Sequence, residues 1–288
     1  MSRRKSTRVF LSGILNTRAS HISGKGDAIR LNFGGFVPLS TVDWRGRAVC
    51  TVFFRGCPLR CSYCQNAAIF GGEDYRDTDE VITLMKGSKL AISGVVFSGG
   101  EPTLQKEALL VLARAAKALG LATGIQTNGA FPGTLRALID EGLIDRIAID
   151  YKTQWEGFSS AQDVTGLNYK KNVRRSIDIA GNVFREKTLF ELEIVVTVFY
   201  ENAKYLQEIS RNVADLPLVL QQGEHKIPMV PGGAANVSEY IAKKWDTIEQ
   251  YTPMTLKEIQ KIADGLKRDV RIRTRDGGEI PYNRRYLL

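Results

Sequence analysis

The amino-acid sequence predicts an α/β fold built on a parallel sheet, and two observations support this prediction. Short apolar, β-branched runs alternate with helix-period segments through six consecutive units, which is typical of strand–helix–strand connections. The chain has 288 residues, of which 43% are hydrophobic and 25% charged, the mixture of an ordinary globular protein. Six such units fit either an open doubly wound sheet or a curved, partial barrel, and both place functional residues at the carboxyl ends of the strands.

The strands and helices are predicted in strict alternation. The predicted strands cover residues 48–54, 94–97, 121–126, 146–151, 192–199, 216–220 and, after the last unit, 270–274. The predicted helices begin at Thr78 and then cover 103–119, 133–141, 170–180 and 202–213, and a last helix opens with the capping box Thr255-x-x-Glu258. Gly120, Gly142 and Gly181 are predicted to end three of these helices, since glycine readily adopts the left-handed conformation that closes a helix.

Charge and pattern divide the chain into three predicted parts. Residues 1–30 carry seven basic side chains and one acidic side chain, a net charge of +6, and form a basic N-terminal arm. Residues 31–225 hold the strand–helix units, and residues 226–288 form a helix and strand extension that packs on them. Of the total net charge of +9, little lies on the central part, so a nucleic-acid-binding face is possible but not favoured.

The compartment is predicted from what the sequence lacks and from its cysteines. No run approaches the roughly 18 apolar residues of a membrane-spanning helix, and no signal-peptide core is present near residue 1. Only four cysteines occur, and three of them fall within eight residues, unlike a secreted disulfide scaffold. We therefore expect a cytoplasmic protein without a membrane partner.

The most informative segment is the loop from Gly56 to Cys64, directly after the first predicted strand. Its three thiols, Cys57, Cys61 and Cys64, have C-x3-C-x2-C spacing, and soft thiolates on a bent loop favour zinc or an iron–sulfur cluster. A four-iron cluster held by three cysteines keeps one iron open to another ligand. Structural zinc is closed and tetrahedral, so a zinc site would need Cys50 or His225 as a fourth ligand.

Together with Ser98-Gly99-Gly100-Glu101-Pro102 after the next strand, this loop resembles the radical S-adenosylmethionine (SAM) enzymes over roughly residues 31–225. The resemblance implies a partial (β/α)6 barrel of the TIM-like kind, with a [4Fe–4S] cluster on the three cysteines and SAM on the open iron. It also implies reductive cleavage of SAM to a 5′-deoxyadenosyl radical, which removes a hydrogen atom from the substrate. The protein then binds and orients the cofactors, and no catalytic residue is predicted beyond those that hold them.

The glycine-rich motif and the aromatic of the cysteine loop are predicted to bind SAM. Gly99 and Gly100 would allow the backbone to approach the cofactor closely, and Glu101 could accept a charge-assisted hydrogen bond from the methionine ammonium group. By family analogy Tyr63 lies against adenine. The alternatives are a tight strand-to-helix turn for the first three residues and a loop aromatic that caps the barrel for Tyr63.

Two later strand ends supply the remaining candidates for cofactor binding. Asp150 and Lys152 match an Asp-x-Lys motif that helps the family hold SAM. The alternative is that the two residues form a surface ion pair after the strand. Gln126 and Asn128 either contact the cofactor or belong to the turn at Gly129.

A narrower resemblance, to the glycyl-radical-enzyme activating enzymes, rests on two segments. These are Ser40 to Trp44 and Phe54 to Cys61, which look most like the activating proteins of anaerobic ribonucleoside-triphosphate reductase. Arg45 departs from the proline that usually follows the aromatic. Only Cys50 remains after one cluster is bound, which excludes auxiliary Cys-ligated clusters and indicates a minimal enzyme.

The narrower resemblance implies two partners, a glycyl-radical enzyme as protein substrate and an external electron donor such as flavodoxin or ferredoxin. Two alternatives stay open. The first is a radical SAM enzyme that modifies a small metabolite, a nucleotide or RNA. The second is a non-enzymatic zinc-binding interaction protein.

Overall fold

The computed structural model describes most of the chain in five stretches. These are residues 29–61, 63–152, 167–189, 191–224 and 251–282, and the backbone of residues 162–163 is described as well. The predicted N-terminal arm and His225 therefore lie outside the described residues, apart from the last residues of the arm. No helix within the described stretches is long and apolar enough to cross a membrane.

The described residues form twelve strands and six α-helices. The strands are β1 Arg30–Ser40, β2 Val49–Phe54, β3 Leu59–Arg60, β4 Tyr75–Asp77, β5 Gly94–Gly99, β6 Ala122–Thr127, β7 Arg146–Asp150, β8 Gln162–Asp163, β9 Glu191–Val198, β10 Leu218–Gln222, β11 Val270–Thr274 and β12 Gly278–Tyr282. The helices are α1 Thr78–Ser88, α2 Lys106–Ala118, α3 Pro132–Asp140, α4 Tyr169–Arg185, α5 Leu206–Val213 and α6 Leu256–Leu266. Short 3-10 helices cover Ala67–Ile69, Pro102–Leu104 and Tyr200–Tyr205.

Ten of the strands form one open sheet in the order β12-β11-β10-β9-β7-β6-β5-β2-β1-β4. The seven strands from β2 to β11 pair in parallel, whereas β1, β4 and β12 add antiparallel edges. The predicted α/β fold with a parallel sheet is confirmed, and the unclosed sheet agrees with a partial barrel. Strands β3 and β8 form a separate two-stranded sheet at the cysteine loop.

The seven predicted strands are present within two residues of their expected ends. The capping box is confirmed as well, since Thr255 accepts from the Glu258 N–H and Glu258 accepts from the Thr255 N–H. The expected end of α4 at Gly181 is wrong, because the helix continues to Arg185. A Cβ at Gly181 would lie 3.0 Å from the Leu216 side chain, so this glycine allows close helix-to-strand packing instead.

The apolar core lies between the helices and one face of the ten-stranded sheet. Along each strand every second side chain enters it, as Phe97 of β5, Ile149 of β7 and Val196 of β9 do, all with 0% exposure. The alternate side chains point to the opposite face, which we call the inner face. This face carries small apolar groups near its middle and many polar ones elsewhere.

Six charged side chains meet on the inner face, and we call this set the Glu193 cluster. Its members are Arg146, Glu191, Glu193, Arg271, Arg273 and Glu279. The Glu193 carboxylate is 0% exposed and lies 2.8 Å from Arg146, 3.1 Å from Arg271 and 2.9 Å from Arg273. Three guanidinium groups thus balance three carboxylates inside the sheet, as buried charge requires. Burial alone would raise the pKa of Glu193, but these arginines lower it to about 2.

Trp44 packs beneath this cluster and closes the end of the inner face that holds the amino termini of the strands. Its ring is 1% exposed, and its Nε1 donates to Glu191 at 3.0 Å. Gly124 of β6 provides the space, since a Cβ there would lie 3.0 Å from the ring. Arg45, where the family resemblance leads one to expect proline, forms an ion pair with Glu279 at 3.5 Å.

The Glu193 cluster gives the first prediction. Glu193→Gln should lower the free energy of unfolding by about 3–5 kcal/mol at neutral pH, because the buried Arg146 and the half-buried Arg271 and Arg273 lose their shared carboxylate. The carboxyl has a lowered pKa in the folded state, so its contribution is complete above its ordinary pKa of 4.5 and is lost as the pH falls towards 2. Denaturant unfolding at several pH values measures both effects.

The matched control is Glu186→Gln, since Glu186 is exposed just after α4 and should change stability by less than about 0.5 kcal/mol. The difference between wild type and Glu193→Gln should be constant from neutral pH down to about pH 5 and should narrow below that. An equal cost for both variants would refute a structural role for the cluster.

Candidate functional site

A cavity of about 190 Å³ opens at the carboxyl ends of the parallel strands. Ten of the eleven residues predicted for the site line it, namely Cys57, Cys61, Tyr63, Cys64, Gly99, Gly100, Gln126, Asn128, Asp150 and Lys152. Only Glu101 lies behind the wall rather than in it. Residues from the cysteine loop and from three separate strand ends therefore meet in one place.

The cysteine loop is held against the end of β5 by backbone hydrogen bonds. The Gly56 carbonyl accepts from the Glu101 N–H at 2.8 Å, and the Phe54 carbonyl accepts from the Gly100 N–H at 2.8 Å. Asn66, which the sequence did not single out, donates from its side chain to the Gly99 carbonyl at 3.0 Å. The loop and the glycine motif therefore form one rigid unit.

Gly99 and Gly100 are required by the chain's own packing. Gly99 has a φ of +123°, and a Cβ there would overlap the backbone of Phe54. A Cβ at Gly100 would overlap the Gly56 carbonyl and touch the side chain of Cys57. The sequence suggested a close approach of backbone to cofactor, whereas the observed close approach is between the motif and the cysteine loop.

The Glu101 carboxylate is fully buried and accepts four hydrogen bonds from the chain. Its Oε1 accepts from the N–H and the hydroxyl of Thr103 and from the Thr127 hydroxyl, and its Oε2 accepts from the Asn128 N–H at 2.7 Å. Burial raises the pKa of Glu101, and these donors oppose the shift. The carboxylate thus ties the start of the 102–104 helix to the end of β6.

Asn128 and Gln126 are also engaged by neighbouring groups. The Asn128 amide donates to the Cys57 Sγ at 3.6 Å, and the Leu59 N–H donates to the same sulfur at 3.4 Å. Gln126 accepts from the Ser98 hydroxyl at 2.8 Å and donates to the Asp43 carbonyl at 3.3 Å. Asn128 is therefore placed to stabilise negative charge on a thiolate.

Tyr63, Asp150 and Lys152 lie together on one side of the cavity. The Lys152 ammonium is 3.2 Å from the Asp150 carboxylate and 5.5 Å from the centroid of the Tyr63 ring. Burial tends to lower the pKa of Lys152, but Asp150 more than compensates and raises it. Lys152 is therefore charged at neutral pH.

An aromatic cluster extends from Tyr63 towards the C-terminal part of the chain. The Tyr63 centroid lies 5.4 Å from that of Phe199 and 6.3 Å from that of Tyr251, and Phe199 is 5.5 Å from Tyr251. Such spacings are favourable for aromatic pairs. Tyr251, in the C-terminal part of the chain, thus packs against Tyr63 of the cysteine loop.

The three loop thiols are soft ligands of the kind that zinc and iron–sulfur clusters take. Within the described stretches, no three His, Cys, Asp or Glu side chains converge closely enough to hold one metal ion. The thiolates of an iron–sulfur cluster bind different irons and need not meet at a point. Burial, and then the charge of Glu101, raises the pKa of the Cys57 thiol, and a bound metal would favour its thiolate form.

Cys50, a possible fourth zinc ligand, lies apart from the cavity that the other three cysteines line. It lies in the middle of β2, points into the apolar core with 0% exposure, and is not among the residues that line the cavity. Burial raises the pKa of this thiol to about 12. Cys50 therefore behaves as a small apolar core residue.

The cavity wall opposite the cysteine loop is polar and comes from β9, β10 and β11. Thr197, Gln221 and Arg273 line it, and Arg273 also belongs to the Glu193 cluster. No motif in the sequence pointed directly to Arg273. A signal was present nonetheless, because Arg271 and Arg273 alternate with apolar residues in one strand, as the glutamates of β9 do in another.

Comparisons with known proteins agree with this geometry. The family model described as the Radical SAM superfamily matches residues 51–211. A Methanocaldococcus jannaschii protein, provisionally named a glycyl-radical enzyme activating enzyme, is 30% identical over 84% of this chain and 96% of its own length. The pyruvate formate-lyase 1-activating enzyme of Escherichia coli is 37% identical over 41% of this chain, a match that spans 50% of that protein.

A solved structure with a similar fold is that of TYW1 with a lysine-pyruvate adduct bound. It has a TM-score of 0.50 and 14% sequence identity, and the match covers 82% of this chain and 80% of that one. This likeness concerns the fold alone. With a family model that matches from β2 into α5, and a relative of similar length at 30% identity, the chain belongs to the radical SAM superfamily.

Proposed function

We propose that this radical SAM enzyme holds a [4Fe–4S] cluster on Cys57, Cys61 and Cys64, cleaves SAM reductively and installs a glycyl radical on a partner protein. The observation that carries the proposal is the meeting of the three thiols with Gly99 and Gly100 in one cavity. The direction towards an activating enzyme comes from the relative that shares 30% identity over 84% of the chain.

The chain's own groups are suited to hold the cluster. The two N–H donors on the Cys57 sulfur stabilise a thiolate, and the packing of the glycine motif fixes the loop that carries it. The cluster and SAM, when bound, supply one-electron cleavage of the sulfonium and a species that abstracts a hydrogen atom. The protein's task is to bind, orient and shield these groups.

SAM would be held between the glycine motif and the Tyr63 side of the cavity. Tyr63 offers an aromatic face for adenine. The Asp150 carboxylate and the Lys152 ammonium group offer one negative and one positive charge to the polar parts of SAM. Gln126 lines the same wall. Each of these roles is one of binding, not of acid–base catalysis.

For Glu101 we propose a positioning role in place of direct contact with the methionine ammonium group. Its Oε1 already accepts three hydrogen bonds and its Oε2 one, all from the chain, and it is 0% exposed. By fixing the Asn128 N–H and the Thr127 hydroxyl, it sets the wall that the cofactor meets. It acts on SAM through these neighbours.

The proposed partners are a glycyl-radical enzyme, which gives up a glycine Cα hydrogen atom, and a flavodoxin or ferredoxin, which supplies the electron. A reducing compartment such as the cytoplasm suits both, and the structure places none of the four cysteines in a disulfide. The balance is one electron from the donor and one hydrogen atom from the glycine for each SAM cleaved to methionine and 5′-deoxyadenosine.

The cluster assignment is tested with the four cysteines as a matched set. Cys57→Ala, Cys61→Ala and Cys64→Ala should each abolish iron binding on anaerobic reconstitution, whereas Cys50→Ala should keep the iron and lose only stability, about 1 kcal/mol. Iron and zinc analysis with EPR of the reduced protein measures this. Stoichiometric zinc without iron, or iron lost equally in Cys50→Ala, would contradict the assignment.

The positioning role of Glu101 is tested by Glu101→Gln. Because an amide group would face a backbone N–H, the variant should lose about 1–3 kcal/mol of stability, against less than about 1 kcal/mol for the exposed control Glu107→Gln. It should also weaken SAM binding to the reconstituted protein. A desamino analogue of SAM separates the two roles. If Glu101 only positions its neighbours, the variant should bind SAM and the analogue more weakly by the same factor. If only SAM binding is weakened, Glu101 contacts the ammonium group directly.

The reaction itself is tested by isotope transfer. A glycine-containing protein or peptide with dideuterated glycine should yield deuterium in 5′-deoxyadenosine and a glycyl radical EPR signal, and a nucleotide or RNA should yield neither. Unlabelled 5′-deoxyadenosine with every peptide, together with label transferred from a nucleotide, would favour the metabolite- or RNA-modifying alternative.

A further inference from the structure

The cavity wall opposite the cysteine loop is built as one row across three strands. Thr197 of β9 is in register with Gln221 of β10, and Gln221 is in register with Arg273 of β11. All three line the cavity. Neighbouring strands are about 4.8 Å apart, so the three side chains stand side by side along the wall.

The row beneath this one is apolar on β9 and β10 and continues on β11 as Arg271, which is paired with Glu193. Val195 and Val219 are buried side by side on β9 and β10 and pack with Ala148 of β7. The polar row is therefore the last before the open cavity, and the floor beneath Thr197 and Gln221 is apolar. On this wall, a group that enters the cavity meets polar side chains from Thr197, Gln221 and Arg273.

Two members of the row have hydrogen-bonding capacity to spare. In the described part of the chain, no hydrogen bond engages the Thr197 hydroxyl or the Gln221 Nε2, and the Gln221 Oε1 has only a long contact of 3.5 Å with Arg273. Gln222, by contrast, already donates to the Met254 carbonyl at 2.7 Å. The free donors and acceptors of the row therefore belong to a hydroxyl and a carboxamide.

The charges on the wall are neutralised. Arg273 lies 2.9 Å from Glu193 and 2.6 Å from Glu279, and Lys152 lies 3.2 Å from Asp150. Glu224 adds a further carboxylate to the lining. Among the described residues of the cavity no cation lacks a carboxylate partner, so a phosphate-bearing substrate would meet no free positive charge.

We propose that Thr197 and Gln221 form a subsite for the uncharged backbone of a polypeptide next to the reacting glycine. A carboxamide can donate to a peptide carbonyl and accept from a peptide N–H at the same time, and a hydroxyl can do either. The inference rests on the proposed function and specifies how that substrate is recognised.

The test uses the anaerobically reconstituted protein with SAM and a short, acetylated and amidated peptide with a central dideuterated glycine. Gln221→Leu and Thr197→Val should each weaken peptide binding, measured by calorimetry, about five- to tenfold, the value of one hydrogen bond. The control Gln207→Leu, on the exposed side of α5, should bind as the wild type does.

A peptide with N-methylated amides beside the glycine provides a double-mutant cycle. N-methylation should weaken binding of the peptide to the wild type about five- to tenfold. It should have little further effect on Gln221→Leu, because that variant already lacks the hydrogen bond that N-methylation removes. Thermal unfolding of each variant shows whether it is folded. Additive losses, a wild type that does not bind the neutral peptide, or tighter binding of guanosine triphosphate than of peptide would overturn the inference.

The outcomes separate this inference from the proposed function. If deuterium passes to 5′-deoxyadenosine while Gln221→Leu and Thr197→Val bind the peptide as the wild type does, the glycyl-radical function stands and the subsite is wrong. If the binding losses follow the prediction but no deuterium is transferred, the subsite stands and the proposed reaction is wrong.

Discussion

The neutrality of the inner face is the constraint on which the rest of the structure depends. A sheet that packs helices on one side and encloses a site on the other has to fill that second side, and here charged groups do so. Glu193 is the centre, since three arginines from two other strands converge on it. These charges pair with one another, and Trp44 packs below them and donates to Glu191. The cavity lies above them, at the carboxyl ends of the strands.

The parallel strands could be predicted from the sequence because apolar, β-branched runs mark them directly, as in β5 and β9. The antiparallel strands β1 and β4 could not. β1 has Gly34 and Gly35 near its middle and an irregular register with β2, and β4 has only three residues. Their pairing depends on neighbours distant in the sequence, and local patterns carry no information on that. The role of Gly181 could not be predicted for the same reason, since it depends on a contact with Leu216, which is distant in the sequence.

The members of the site were largely predictable, but their contacts were not. Cysteine spacing and the glycine motif pointed to residues that do line one cavity. The contacts of Glu101 and Asn128 depend on how β5, β6 and the cysteine loop approach one another, which no spacing in the sequence encodes. Arg273 shows the opposite case, in which a readable alternation of arginines in an otherwise apolar strand was available as a signal.

The contact between Trp44 and Gly124 has a consequence for the evolution of this fold. The indole occupies the volume that a side chain at position 124 would fill, and the backbone of β6 cannot retreat because it is paired on both sides. The two positions therefore share one volume. A lineage that acquires a larger residue at 124 has to acquire a smaller one at 44, so these sites should vary together among homologues.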